Sequence, residues 1–313
     1  MLMVLMVIGG WAFNDPPTQT RFSDMVSTVE NQRIFISSVV AYLQKYGLDG
    51  IDVDWEYPVA SDRGGIPADY DNYPVFLSNM RDAFDQVNPG WDITITLPSS
   101  YWYLRGFNLP SIQKYVSWFN FMSYDLHGMW DKHNQFTGPY LLGHTNITEI
   151  DSGLDLLWRN QVDPKKVVMG FGFYGRSFTM ADSACSKPNG VCEFSTAGIP
   201  GSCSATAGIL IYAEIQSLNT SLNVQTFYDE KSTVKYNVFD STQWVSYDDA
   251  QSFTDKKKFL SSRCLDGLMI WAIDQDDQLY DALTGLLGEK AMKNSLLKGG
   301  ALDDGEKTQL ANE

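Results

Sequence analysis

The sequence predicts an α/β fold of parallel strand–helix units, the class to which the (β/α)8 barrel belongs. Three observations predict it. Short apolar runs of strand length alternate with segments whose apolar residues recur at helical spacing. The 313 residues, 44% of them hydrophobic, suffice for one large core, and barrels of this size often run as one domain. Finally, Asp49-Gly50-Ile51-Asp52-Val53-Asp54-Trp55-Glu56-Tyr57-Pro58 alternates acids with large apolar residues, the period of a strand with one face packed under helices.

In chain order, strands are expected at about 3–9, 50–56, 92–98, 117–124, 167–173 and 267–273. Met1 to Ile8 looks like the apolar part of a leader peptide. It lacks a basic start and runs straight into Gly9-Gly10-Trp11, so residues 2–8 read as a buried strand. A helix near 28–46 carries Ile34, Phe35, Val39, Tyr42, Leu43 and Tyr46 as one stripe, with Gly47 at its stop. A second, near 70–87, carries Tyr73, Phe76, Leu77, Met80, Phe84 and Val87, and both stripes read as core. A third near 148–160 would bury Leu154, Leu157 and Trp158, and a fourth near 249–262 precedes the last strand. Residues 179–245, rich in Gly, Ser, Pro and Cys, are inserted between the last two strands. After about Gly288 the chain is polar.

Within the acidic run, Asp52, Asp54 and Glu56 share a face, roughly 7 Å from one to the next. Like charges this close cannot all ionise freely, so at least one pKa must rise. A carboxylic acid kept protonated is what a general acid needs. The plainer alternative, a solvated acidic edge, fits poorly with the alternating Ile51, Val53 and Trp55.

Composition narrows the partners. A net charge of −15 argues against nucleic acid, whose phosphates it would repel, and is compatible with an uncharged polysaccharide. Nine Trp and sixteen Tyr suit stacking on sugar rings, although most aromatics fill cores. No stretch reaches the roughly 20 apolar residues of a membrane span. Cys185, Cys192, Cys203 and Cys264 show no zinc spacing with the three His, so disulfides are favoured over a metal, with the three full pairings left open. Asn146 and Asn219 head weak glycosylation signals.

The acidic run resembles the Asp-x-x-Asp-x-Asp-x-Glu motif of family 18 glycoside hydrolases, the chitinases and their relatives. The resemblance extends from Gly9 to about Asp274 and is nearest to fungal chitinases with a cysteine-containing insertion. In that family the Gly-Gly-Trp strand is the third and the acidic strand the fourth. The resemblance therefore implies a TIM (β/α)8-type barrel lacking its first two strands, with a small α+β insertion. On this reading the chain is an N-terminally truncated fragment or an incomplete gene model. The expected parts are 1–178 (barrel, first part), 179–245 (insertion subdomain), 246–288 (last βα unit) and 289–313 (polar tail).

The resemblance also implies the chemistry. Glu56 protonates the glycosidic oxygen, and the sugar's own N-acetyl oxygen attacks the anomeric carbon, so this family is substrate-assisted. Asp54 orients the acetamido N–H, and Asp52 shares a proton with Asp54; Asp49 is read as structural. Phe121-Met122-Ser123-Tyr124-Asp125 resembles the Met-x-Tyr-Asp motif: Tyr124 donates to the acetamido carbonyl, and Met122 and Asp125 line the subsite. Tyr174 and Arg176, in a Tyr-Gly-Arg segment, bind substrate near the cleavage point. Trp271 is the floor for the reacting sugar; a buried core Trp is the plainer reading. Trp11, Tyr57 and Trp102 are further binding candidates, with Trp244 from the insertion. The implied activity is a secreted chitinase acting on chitin or chito-oligosaccharides as a monomer, without metal, cofactor, nucleic-acid or membrane partner. The alternatives are an endo-β-N-acetylglucosaminidase on N-glycans and a non-catalytic chitin-binding fragment.

Overall fold

The structure is a computed structural model that describes residues 2–221 and 224–293. It divides into two compact units. One comprises Met1–Ser123, Ile150–Gly170 and Arg263–Met269; the other comprises Tyr124–Glu149, Phe171–Ser262 and the chain from Ile270.

The elements of the first unit follow the expected alternation. β1 (Leu5–Gly9) leads through α1 (Arg21–Val26) and α2 (Val29–Tyr46) to β2 (Gly50–Asp54). Next come α3 (Asp69–Val87), β3 (Asp92–Pro98), two single turns α4 (Tyr101–Leu104) and α5 (Leu109–Ile112), and β4 (Trp118–Met122). Then α6 (Ile147–Arg159) and β5 (Val167–Gly172) follow. β1 to β5 pair in parallel in sequence order, and the later strand β12 (Gly267–Trp271) is next after β5. Among the described residues, six strands stand where a closed barrel has eight.

Local chemistry explains the boundaries. The Thr28 side chain accepts the Asn31 N–H and caps α2, which ends at Gly47 in the left-handed conformation, φ 64°. Ile51, Val53 and Trp55 are buried, with Trp55 between Phe22 of α1 (5.3 Å, stacked) and Tyr73 of α3 (5.0 Å, edge-on). Gly9 closes β1 at φ 106°, where a Cβ would stand 2.0 Å from the Asp54 carbonyl oxygen; only glycine lets β1 run this close to β2.

Three expectations need correction. Residues 2–8 do not form a buried strand: among the described residues β1 pairs with β2 alone, and Leu2, Met3, Val4 and Val7 are exposed. Ile34, Tyr42 and Tyr46 are exposed too, because α2 turns Gln32, Ile36, Val39 and Leu43 inward. Tyr42 and Tyr46 instead pack on each other at 4.4 Å. Val87, at the last turn of α3, is likewise exposed.

The second unit contains an antiparallel sheet of β6 (Tyr174–Met180), β7 (Phe194–Ala197), β8 (Ile209–Ile211), β9 (Gln225–Asp229), β10 (Val234–Phe239) and β11 (Gln243–Tyr247), with α7 (Tyr212–Ser221) between β8 and β9. Its order is β7-β6-β11-β10-β9, and β8 pairs with β6. Phe178, Phe194, Tyr236 and Trp244 are at the centre of its core. Glu214 of α7 accepts the main-chain N–H groups of Cys203, Ser204 and Ile211, pinning the loop before β8. Helices α8 (Ala250–Ser262) and α9 (Asp281–Leu287) complete the described elements. Lys256 of α8 donates to both carboxylate oxygens of Asp248 at 2.6 Å, and both side chains are 1% exposed. Cys185 and Cys192 form a disulfide, whereas Cys203 and Cys264 are exposed free thiols, so none of the full pairings forms.

Candidate active site

In the first unit, the acids of β2 are set by strand register. Asp52 stands abreast of Thr94 in β3, and Thr96 stands abreast of Asn120 in β4. Thr94 Oγ1 donates to Asp52 Oδ1 at 2.5 Å, and Asn120 Nδ2 donates to the same oxygen at 2.8 Å. Thr96 Oγ1 donates to Asp54 Oδ1 at 2.6 Å. Each acid thus receives neutral donors from the neighbouring strands. Asp52, Asp54 and Glu56 are all buried, and Glu56 stands just beyond the end of β2.

Burial is the main electrostatic fact. It pushes the Asp54 carboxyl up to about 6, against the Thr96 hydrogen bond, and the Asp52 charge adds a smaller rise. Asp52 is also raised by burial, opposed by Thr94 and Asn120. The expected upward shift is therefore present, but desolvation outranks like-charge repulsion as its cause. The Tyr57 hydroxyl is raised by burial first and by Glu56 second, and its ring stacks on Tyr103 at 4.3 Å.

A stability test follows from Asp54. Its carboxyl titrates near 3.8 when unperturbed and near about 6 in the fold, so between these values the folded chain holds more protons. Stability therefore falls as pH rises through that window. Asp54→Asn keeps the acceptor for Thr96 and cannot ionise. It is expected to match the parent at about pH 4 and to exceed it by about 1–3 kcal/mol at about pH 7. Urea midpoints at the two pH values measure this; a variant less stable than the parent at the higher pH would contradict it.

The second unit brings Tyr124, Asp125, Tyr174 and Arg176 together. Asp125 accepts from Tyr174 Oη at 2.6 Å, Arg176 Nε at 2.7 Å and Arg176 Nη2 at 2.6 Å. Burial would raise its carboxyl, but hydrogen bonds from His144 and Arg176 and the guanidinium charge hold it well below the usual range. His144 is fully buried, which lowers its pKa. Its Nδ1 lies 3.4 Å from the Asp125 main-chain nitrogen and 3.7 Å from Asp125 Oδ1, and Nε2 lies 3.2 Å from the Tyr174 carbonyl oxygen. The Tyr124 and Tyr174 rings meet edge-on at 6.1 Å.

Sequence reasoning missed several of these groups. Thr94, Thr96 and Asn120 share the period-2 pattern of their strands, which does not single out their hydrogen-bonding groups. Trp130, half exposed, lies with the Arg176 guanidinium 4.9 Å from its ring centre. His127 is buried between Asp131 (Nδ1, 2.8 Å) and Glu149 (Nε2, 2.9 Å). Burial works against its charge, but these hydrogen bonds outweigh it and hold the imidazole up at about 9. A lone loop His carries no such signal in sequence.

The aromatic candidates separate clearly. Trp11, Trp102 and Trp271 are 52%, 56% and 51% exposed, so Trp271 is not a core residue. The Arg105 guanidinium lies 3.8 Å from the Trp102 ring centre, covering one face. Trp244 is corrected: it is fully buried between Phe178 and Tyr236, and its indole N–H donates to the Ser186 carbonyl, so it offers no sugar platform. Met122 is half-buried at the end of β4.

Comparison with known proteins agrees with these motifs. The sequence model of "Glycosyl hydrolases family 18" matches residues 1–276. A secreted chitinase of Penicillium expansum, LysM12, is 32% identical over 296 residues, covering 89% of this chain and 19% of that protein. An endochitinase of Manduca sexta is 33% identical, covering 94% of this chain and 52% of its own length. This chain thus spans about a fifth of the first relative and half of the second. Among solved structures, the Ostrinia furnacalis Group IV chitinase in complex with allosamidin is 28% identical with a TM-score of 0.80, covering 95% of this chain and 80% of that one. With the acidic strand, its hydroxyl donors and the matched span all in agreement, this chain belongs to family 18 of the glycosyl hydrolases.

Proposed function

We propose that this chain is a chitinase, hydrolysing the β-1,4 bonds of N-acetylglucosamine polymers with retention. The observation that carries the reading is the buried ladder Asp52, Asp54, Glu56, fed by Thr94, Thr96 and Asn120. Burial raises the Asp52 and Asp54 carboxyls, and a buried acid in such a site suits proton donation to a leaving sugar. Glu56 gives its proton to the glycosidic oxygen while the acetamido oxygen of the same sugar attacks the anomeric carbon and the glycosidic bond breaks. Glu56, now a carboxylate, takes a proton from the water that reopens the oxazolinium ring at that carbon. Asp54 accepts the acetamido N–H, and its raised pKa near about 6 lets Asp52 tune its charge. Tyr124 donates to the attacking carbonyl oxygen.

Met122, Asp125, Tyr174 and Arg176 bind substrate; Asp125 is held by Tyr174 and Arg176 and is thereby rigid. Exposed Trp271, Trp11 and Trp102 offer apolar faces to sugar rings, with Tyr57 beside the acid. Residues 179–245 form the insertion subdomain in this reading, supported by their antiparallel strands. No metal or cofactor takes part. The partners are chitin and its oligomers, met outside the cell by a monomer. The similarity to a secreted chitinase supports secretion, and among the described residues no helix is long and apolar enough to cross a membrane.

The test is proton NMR of chitotetraose hydrolysis beside cellotetraose, which lacks the acetamido arm. The β-anomer should appear first, and cellotetraose should remain intact. An initial α-anomer, or equal cleavage of both sugars, would refute substrate assistance.

A further inference from the structure

Arg63 has no part in the mechanism above, yet it is buried against the acid's own main chain. It ends the turn Ser61–Arg63. Its Nε donates to the Glu56 carbonyl oxygen at 3.1 Å, Nη2 donates to the Trp11 carbonyl oxygen, and Nη1 pairs with Asp15 Oδ1 at 2.8 Å. Its guanidinium carbon lies 3.6 Å from the centre of the Trp11 ring, so one cation both stacks on the indole and ties its backbone. The same segment returns the contact: Asn14 Oδ1 accepts the Glu56 N–H at 3.2 Å.

The turn that carries Arg63 is itself fixed. Asp69 Oδ2 accepts the N–H groups of Val59 and Ile66 and the Ser23 hydroxyl. A Cβ on Gly64 or Gly65 would come 2.3 Å from the Gln19 carbonyl oxygen or 2.6 Å from the Val59 nitrogen, so the turn is packed on both sides. A rigid base of this kind transmits position to the groups it holds.

We propose that Arg63 is a positioning residue that locks the Glu56 main chain to the Trp11 shelf, so that the acid's proton is delivered at one fixed place relative to the bound sugar. The proposal rests on the reading of Glu56 as the acid. Arg63 acts through the Glu56 carbonyl and through the Trp11 carbonyl and indole. A planar fork serves three acceptors in one plane and stacks flat on an aromatic ring, which an ammonium cannot do.

The experiment compares two substrates that differ in their need for an acid. Chitotetraose has a sugar leaving group that must be protonated; a dinitrophenyl chitobioside has one that departs as an anion. Rates are taken on the folded fraction, well below the melting transition. Arg63→Met should lower kcat/KM, which reports steps only as far as departure of the leaving group, on the order of 10²-fold on chitotetraose and by no more than about 3-fold on the dinitrophenyl glycoside. Arg63→Lys, which keeps the charge and the stem, should show the same asymmetry at smaller size, and it carries the comparison if the Met variant does not fold. Equal losses on both substrates, or no loss on either, would overturn the proposal and leave the glycosidase reading intact. A parent chain that cleaves neither substrate would overturn the reading and the proposal together.

Discussion

Glu56→Gln should lower kcat on chito-oligosaccharides by about 10²–10⁴-fold while leaving their affinity almost unchanged. The amide keeps the shape of the side chain and removes the proton it would donate. The main-chain contacts are untouched, since the Glu56 N–H still reaches Asn14 and its carbonyl still accepts from Arg63. A neutral amide is also no harder to bury than the acid it replaces at this largely enclosed site. Steady-state rates on chitotetraose, with calorimetric binding of chitopentaose, separate the two quantities. A variant within tenfold of the parent in kcat would remove Glu56 from the role of donor.

Lys256→Met should be the most damaging single change outside the acidic strand, costing about 3–5 kcal/mol. The ion pair Lys256–Asp248 is closed from water on both sides, with both side chains 1% exposed. Burial pulls the Lys256 pKa down, and Asp248 alone opposes that. Removing the ammonium takes from the Asp248 carboxylate the one charged donor it has among the described residues, at a site closed from water. Replacing both groups, Lys256→Met with Asp248→Leu, should recover most of the loss, because two apolar side chains of similar volume need no partner. Urea unfolding of the parent, the single and the double variant decides. A single variant within about 1 kcal/mol of the parent would show that water reaches the pair.

The strand–helix alternation was legible because parallel strands leave continuous apolar runs and their helices leave stripes. Asp52, Asp54 and Glu56 announced themselves by alternating with Ile51, Val53 and Trp55. Thr94, Thr96 and Asn120 obey the same period, but threonine is common in strands for steric reasons alone, so its hydroxyls gave no separate signal. Arg63 and Asn14 sit in single 3-10 turns, too short to show a periodicity, and the contacts Arg63–Trp11 and Asn14–Glu56 join residues 52 and 42 apart in sequence. The exposure of Ile34, Tyr42 and Tyr46 shows the converse limit: a wide stripe does not say which of its flanks meets the sheet. Trp244 failed for a related reason, since an aromatic in an insertion fills a core as readily as it faces a ligand.

The uncovered edge at β1 has a consequence for handling the protein. Among the described residues β1 pairs with β2 alone, and its other side, beside exposed Leu2, Val4 and Val7, makes an adhesive strip. Against it works the net charge of −15, which makes identical molecules repel. Salt weakens that repulsion over distances beyond about 10 Å at 0.1 M and does not touch the strip. Ionic strength therefore governs clumping, and dilute buffer is the gentler solvent for this chain.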